Sequence, residues 1–352
     1  MATRSTIMDT NSFRPEMAAA LDPETRKLTE ERDVLGPAYR LFYRNPVHLV
    51  KGRGSHLWDA DGEGSAHETL LEDASVDAVY IALPHALHAE WVERALSAGK
   101  AVLCEKPLAL DEDEARRLTG ISRREGVLLM EGMKTRFTPA YRQVRELVLA
   151  GGLGEVERVE ATLCNDMLAQ FEAGTTYISH PGEGGVLLDC GTYCASWLDD
   201  FAPGECSLKT ASGVLRDGID LYANAELAMG EKSARLECAF DRKKPRTATI
   251  VGSRGRMVVD ELHRPQHATV YLAGATPREI DAPYEVDDFY GEIIHFVDLL
   301  EGGRTESDVM PLSSSIRDAA ILDLVRTGIQ REAGRGAGSA GVSPADGGAA
   351  RS

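Results

Sequence analysis

A strand–helix–strand pattern over residues 77–110 constrains the fold of this chain more than any other feature of the sequence. Asp77 to Leu83 is almost continuously apolar, as expected for a parallel strand that is buried on both faces. His88 to Ala98 places apolar residues three and four positions apart, which predicts a helix that ends at the following glycine. Ala101 to Cys104 predicts a second buried strand. The pattern therefore indicates a βαβ unit of an open α/β sheet.

Polar residues follow both predicted strands. Ligands of open α/β sheets bind outside the carboxyl ends of the strands, where Pro84-His85 and Glu105-Lys106-Pro107 fall. A lysine at this edge can act as an acid/base group or donate a hydrogen bond to a substrate hydroxyl. Without further context, a lysine after a strand is more often a solvated surface residue.

Two further motifs follow Glu105-Lys106-Pro107 at a characteristic spacing: the strings 129–137, LMEGMKTRF, and 184–193, GGVLLDCGTY. With these motifs the chain resembles the glucose–fructose oxidoreductase/inositol dehydrogenase (Gfo/Idh/MocA) family of NAD(P)-dependent enzymes. The resemblance extends from about Glu68 to about Gln330. It implies an α/β plus α+β fold, in which a truncated Rossmann-like parallel sheet precedes a C-terminal domain with a large antiparallel sheet.

The resemblance also implies the chemistry, which is hydride transfer from a sugar, polyol or trans-diol hydroxyl to NADP or NAD. It assigns catalytic roles to Lys106, Tyr193 and Asp189. Many members have histidine at the position of Tyr193. A tyrosine at this position resembles the dihydrodiol dehydrogenase and glucose–fructose oxidoreductase branch of the family. Two alternatives stay open: Tyr193 as a core aromatic residue, and Asp189 as a helix cap.

The expected cofactor-binding residues lie at the same edge of the sheet. They are Leu83, Pro84, His85, His88, Glu105, Lys106, Pro107 and Arg136. His88 can equally make a local hydrogen bond, and Arg136 can simply pair with nearby acids. No metal site is predicted, because Pro265 separates His263 from His267 and no acidic triad accompanies them.

The phosphate-binding motif of a dinucleotide fold is missing. No G-x-G-x-x-G occurs ahead of the βαβ unit at residues 77–110, where its backbone N–H groups would meet the pyrophosphate. The first two βα units of the Rossmann fold are therefore expected to be absent, and the sequence leaves open whether the chain is an enzyme. The alternatives to an active oxidoreductase are an impaired member that acts as a binding or oligomerisation protein, and a non-functional gene fusion.

A different segment precedes the truncated sheet. Val34 to Gly62 resembles the amino-terminal segment of class III pyridoxal-phosphate aminotransferases, with a hairpin of Val47–Val50 and His56–Asp59. Chance similarity of a hairpin-forming stretch is the alternative, and no transaminase activity is inferred. The hairpin is expected to cover only part of the sheet edge beside Val79–Ile81, which would leave an apolar edge open to aggregation.

The expected organisation is an atypical segment (1–66), a partial dinucleotide-binding domain (67–137), a C-terminal oxidoreductase domain (138–332) and a disordered tail (333–352). A net charge of −17 argues against nucleic acid and anionic membranes as partners. No apolar run reaches the roughly 18 residues of a membrane helix. Six cysteines without C-x-x-C or a secretory signal predict reduced thiols in the cytoplasm. The expected partners are a small-molecule sugar or diol substrate and further copies of the chain, in a homo-oligomer formed through the C-terminal sheet.

Overall fold

The computed structural model describes residues 48–50 and 71–339, except residues 73, 75 and 175. A small parallel sheet contains four strands in the order β1-β2-β3-β4. Their bounds are β1 His48–Val50, β2 Ala78–Ile81, β3 Ala101–Glu105 and β4 Leu129–Gly132. Val79, Val102 and Leu129 are fully buried, as the apolar runs predict for strands covered on both faces.

A helix follows each of the last three strands, and the first of these helices lies where the sequence predicts it. They are α1 His88–Ser97, α2 Glu112–Glu125 and α3 Pro139–Leu149. Asp111 caps α2 by accepting a hydrogen bond from the backbone N–H of Glu114 at 2.8 Å. The Glu114 carboxylate in turn accepts a bond from the backbone N–H of Leu110 at 3.1 Å. These reciprocal bonds satisfy donors that the first turn of a helix otherwise leaves unpaired.

A strand of the N-terminal segment pairs with the edge of the small sheet. β1 pairs in parallel with β2, from His48 opposite Val79 to Val50 opposite Ile81. β1 therefore covers the β2 edge over these three residue pairs, and the expected consequences for stability and aggregation stay a prediction. The second strand of the predicted hairpin, His56–Asp59, lies outside the described residues.

The second sheet has eight strands in the order β12-β11-β10-β9-β5-β8-β7-β6. Their bounds are β5 Val156–Cys164, β6 Cys206–Arg216, β7 Ile219–Met229, β8 Lys232–Ala239, β9 Thr247–Gly252, β10 Gly255–Asp260, β11 His267–Leu272 and β12 Arg278–Asp281. All neighbouring pairs are antiparallel except β5 and β8, which are parallel. The expected antiparallel sheet is therefore mixed, since a long connection between β5 and β8 lets both run in one direction.

Helices cover one face of the large sheet. The remaining helices are α4 Leu168–Ala173, α5 Thr192–Phe201, α6 Tyr290–Glu301 and α7 Leu312–Ser339. Along β7, buried residues alternate with half-buried ones, which agrees with one covered face and one solvated face. The large core that results includes Trp197 and Phe240, both fully buried.

The last helix runs further than expected. α7 continues to Ser339, past residue 333 where the predicted tail begins, and the residues beyond it lie outside the described chain. Within the described ranges, none of the helices combines the length and the apolar character needed to cross a bilayer.

Candidate active site

Three turns that follow β2, β3 and β4 gather charged side chains at the carboxyl edge of the parallel sheet. They carry His85, Lys106 and Lys134. His85 is 4% exposed, and the side chains of Lys106 and Lys134 are 12% and 9% exposed. Because the strands are parallel, these three turns lie at one edge, where open α/β sheets bind their ligands.

Lys106 is held by Asp189. Its Nζ lies 2.9 Å from the main-chain oxygen of Asp189 and 3.0 Å from Oδ1. Burial alone would lower the pKa of Lys106, but the Asp189 carboxylate outweighs it and the pKa lies well above its usual value. Burial would raise the pKa of Asp189, yet Lys106 and a hydrogen bond from Tyr177 (3.0 Å to Oδ1) keep it below its usual value. The two residues therefore form a buried, charged pair.

A tight turn delivers Asp189 to this position. Gly185 has a φ of +102°, and a Cβ atom there would lie 2.5 Å from Oδ1 of Asp220. The other oxygen of Asp220 accepts a hydrogen bond from the backbone N–H of Leu187 at 2.6 Å. A π-helical turn, Leu187–Gly191, then leads into α5, where no side chain caps the helix. Asp189 is thus not a cap; its carboxylate faces Lys106.

Tyr193 completes the cluster at the start of α5. Lys106 Nζ lies 4.9 Å from the centre of its ring, and the His263 ring meets it edge-on with the centroids 5.9 Å apart. Tyr193 is 7% exposed. Burial raises its pKa to about 12 despite the opposing effect of Lys106 and Lys134. The phenol therefore keeps its proton at neutral pH.

Lys134 was not among the predicted site residues. Its Nζ lies 2.7 Å from Oδ2 of Asp288 and 4.0 Å from the centre of the Phe289 ring. Burial opposes its charge, but Tyr193 and Asp288 raise its pKa above the ordinary value. The sequence did contain a signal, because Lys134 follows β4 in the same way that Lys106 follows β3.

The two histidines play different parts. Nδ1 of His85 lies 3.0 Å from the Glu183 main-chain oxygen, and its ring packs on Tyr177 at 4.5 Å. Burial, and then Lys106, lowers the pKa of His85 to about 3, so this imidazole is neutral. With its proton on Nδ1, its Nε2 is left as an acceptor without a partner in the described part of the chain.

His88 is fully buried beneath the two turns. Its Nδ1 lies 2.7 Å from the main-chain oxygen of Pro107, and its Nε2 lies 2.8 Å from that of Leu83. Burial lowers its pKa, so the ring is neutral and donates only one of these bonds at a time. Between the turns after β2 and β3, His88 makes the local contacts that the sequence left open.

The other expected cofactor residues are also placed. Arg136 is 2% exposed, and its guanidinium pairs with Asp199 at 3.1 Å and donates to the Ser196 hydroxyl at 2.8 Å. It therefore pairs with nearby acids, which was the alternative to cofactor binding. Glu105 accepts a hydrogen bond from the Tyr80 hydroxyl.

The edge residues fit the nicotinamide end of a dinucleotide. The Nε2 of His85 is a hydrogen-bond acceptor at this edge, and Leu83, Pro84 and Pro107 belong to the two turns beside it. No cluster of three or more His, Cys, Asp or Glu side chains that could hold a metal ion occurs in the described ranges.

Family models match most of the chain. The model for the Gfo/Idh/MocA oxidoreductase family with an NAD-binding Rossmann fold matches residues 7–133, and the C-terminal domain model of the same family matches residues 141–258. The first match begins well before Glu68, where the motif-based resemblance starts.

Relatives and solved structures agree with these models. Mouse trans-1,2-dihydrobenzene-1,2-diol dehydrogenase is 30% identical over 75% of this chain and 80% of its own length. A dTDP-3,4-didehydro-2,6-dideoxy-alpha-D-glucose 3-reductase of Actinomadura kijaniata is 32% identical over 80% of this chain and 88% of its own. A 3-ketoreductase crystal structure from that organism, with NADP and TDP-benzene, superposes with a TM-score of 0.65 at 29% identity, covering 74% of this chain and 81% of the other. The chain belongs to the Gfo/Idh/MocA family of NAD(P)-binding oxidoreductases.

Proposed function

We propose that this protein transfers a hydride between a hydroxyl-bearing carbon of a sugar, polyol or trans-diol and NADP or NAD. The observation that carries the proposal is the cluster of Lys106, Asp189 and Tyr193 at the carboxyl edge of the parallel sheet. A buried cation lies against the ring of a protonated phenol, and a carbonyl oxygen that is reduced requires both a proton donor and a positive charge. The relatives reported above are named for reactions of this kind.

Tyr193 and Lys106 have different roles in this reaction. In the direction of reduction, the Tyr193 phenol donates its proton to the substrate oxygen, while the Lys106 ammonium stabilises the negative charge that develops there. In the direction of oxidation, Tyr193 first releases its proton, and the phenolate oxygen then receives the proton of the substrate hydroxyl. Bound nicotinamide supplies or accepts the hydride. Asp189 keeps Lys106 charged and fixes its position.

The turns after β2 and β3 hold the cofactor in this proposal. His85 accepts a hydrogen bond from a ribose hydroxyl through Nε2, and Leu83, Pro84 and Pro107 line the same space. His88 acts as a positioning residue because it ties the Leu83 and Pro107 carbonyls together.

We also propose a homo-oligomer and a cytoplasmic location. The solvated face of the large sheet carries an ion-pair network in which Arg158 and Glu226 bond at 3.0 Å and Arg235 and Glu237 at 3.1 Å. A broad face with its charges already paired suits association with a second copy. All six cysteines are free thiols, which favours a reducing compartment. Light scattering after size exclusion tests the oligomer: a purely monomeric profile would refute it.

The function is tested with purified protein and a panel of sugars, polyols and trans-diols, following NAD(P)H absorbance. We expect turnover with at least one member and loss of turnover in Lys106→Ala. Absence of turnover across the panel in both directions, at saturating NAD(P)H or NAD(P), would contradict the proposal.

A further inference from the structure

A polar cavity of about 410 Å³ lies in the C-terminal domain. It is lined by Arg246, Glu261, Arg264, Gln266 and Tyr284. Its size falls within the roughly 300–1,000 Å³ of small-molecule sites. Neither of its arginines belongs to the catalytic cluster.

Hydrogen bonds connect the turn at residues 262–264, which lines part of this cavity, to the segments that carry Lys134 and Tyr193. The Thr135 hydroxyl, next to Lys134, donates to the main-chain oxygen of His263 at 2.8 Å. The indole N–H of Trp197, one helical turn after Tyr193, donates to the oxygen of Leu262 at 2.9 Å. The His263 ring itself meets the Tyr193 ring. Arg264 is the next residue after His263, whose ring contacts Tyr193.

The cavity has an excess of positive charge. Arg246 pairs with Glu261 at 2.6 Å and also donates to Asn165 at 3.3 Å, so these two charges cancel. Arg264 is half-buried, and its guanidinium has no ion pair or hydrogen bond with another residue of the described chain. The charge of Arg264 is therefore not offset by an ion pair in the described chain, although the protein has a net charge of −17.

The surroundings extend this positive field towards the active site. Burial and then Lys134, Arg264, Arg246 and Lys106 lower the pKa of His263 to about 2. The acid facing the same region, Asp288, is already paired with Lys134 at 2.7 Å. The neutral His263 ring contacts the Tyr193 ring on one side and is close enough to Arg264 for this arginine to lower its pKa.

We propose that this cavity binds an oxyanion, a phosphate or a carboxylate, carried by the substrate at a distance from the reacting hydroxyl. Arg264 binds the anion with its planar fork of N–H donors, and Arg246 is held by Glu261 as the wall beside it. The substrate class is then an anionic sugar or polyol. This inference rests on the proposed function, which places the reacting hydroxyl of the substrate at Lys106 and Tyr193.

The test is equilibrium binding, which does not depend on turnover. Calorimetry of the full chain is done with glucose 6-phosphate, glucuronate and glucose, which differ in the anion at one end. We expect at least one anionic sugar to bind about tenfold or more tightly than glucose, as one charge-assisted hydrogen bond predicts. Preference for the first or the second probe tells phosphate from carboxylate.

Substitutions locate the effect. Arg264→Gln should remove the preference for the anionic sugar, by about tenfold to a hundredfold, while glucose binding stays the same. Arg264→Lys should retain part of it, because the charge remains and the fork is lost. Arg278→Gln, an exposed arginine on β12, is the matched control and should change nothing. Circular dichroism verifies the fold of each variant.

Equal binding of the three sugars, no binding of either anionic sugar, or an unchanged preference in Arg264→Gln would overturn the inference. Charge-dependent binding without any turnover would instead retain the anion site and refute the proposed function.

Discussion

The ammonium group of Lys106 contacts both the main-chain oxygen and the carboxylate of Asp189, at 2.9 and 3.0 Å, across 83 positions of sequence. This contact joins the edge of the parallel sheet to the turn before α5. It keeps a buried lysine charged, because the carboxylate more than offsets the loss of hydration.

Asp189→Asn should therefore lower kcat more than it changes KM. The amide oxygen can still accept a hydrogen bond, but it no longer supports the charge of Lys106, so burial lowers the lysine pKa. We expect a loss of about tenfold to a hundredfold in kcat, which corresponds to one charge-assisted bond. Steady-state kinetics across pH should also show a lysine titration displaced to lower pH. An unchanged pH profile and kcat would contradict the role of Asp189.

Lys106→Ala and Tyr193→Phe should each lower kcat by about a hundredfold to ten-thousandfold, because each removes a positioned acid/base or charged group. The thermal unfolding temperature should change little in Tyr193→Phe, which removes one hydroxyl. Tyr271→Phe on β11, an exposed tyrosine, is the control and should keep full activity. Activity within threefold of the natural protein in both site variants would refute the assignment.

The pH dependence should differ between the two directions of the reaction. With the pKa of Tyr193 at about 12, the phenol needed for reduction is fully protonated below that value. The phenolate needed for oxidation increases about tenfold per pH unit below the pKa. Oxidative kcat/KM should thus rise through pH 7 to 10, while the reductive value stays flat. A plateau of the oxidative rate near pH 7 would show that another group is the base.

Glu292 should make the protein less stable as pH rises. It is fully buried, neither of its carboxyl oxygens has a hydrogen-bond partner in the described chain, and burial raises its pKa well above the usual value. The unfolded chain releases this proton at a lower pH than the folded chain does. Stability is therefore present below the unfolded pKa and is lost towards the folded pKa, by at most about 1.4 kcal/mol per pH unit.

Glu292→Gln should remove that slope. Denaturant unfolding from pH 5 to 8 measures it, with Glu301→Gln at the exposed end of α6 as the control. Parallel stability–pH curves for Glu292→Gln and the natural protein would show that Glu292 is ionised in the folded state.

Cofactor affinity should be low. No G-x-G-x-x-G precedes the βαβ unit at residues 77–110, and each charge-assisted hydrogen bond to a phosphate is worth about 1.5–3 kcal/mol. Losing two or three such bonds weakens binding by orders of magnitude, so calorimetry should give dissociation constants for NADPH and NADH above the micromolar range. A micromolar constant would mean that other residues supply the missing donors.

Local patterns determined much of the fold. The apolar runs of β2 and β3, the helix period of α1 and the capping box at Asp111 each depend on neighbours within a few residues, so they were readable in order along the chain. The strand-end rule also placed Lys106 at a ligand-binding edge, because parallel strands share the direction of their carboxyl ends. Asp189 and Tyr193 required the family resemblance as well.

Tertiary packing decided the rest. The parallel pairing of β1 with β2 and of β5 with β8 depends on long-range register, which no local period encodes. The same is true of the contacts of Lys134 with Asp288 and of Tyr177 with Asp189, and of the burial that sets the pKa of Tyr193. The sequence by itself determined which residue types stand at the strand ends. Only the folded chain decided their partners and charges, because desolvation and distance arise when distant segments meet.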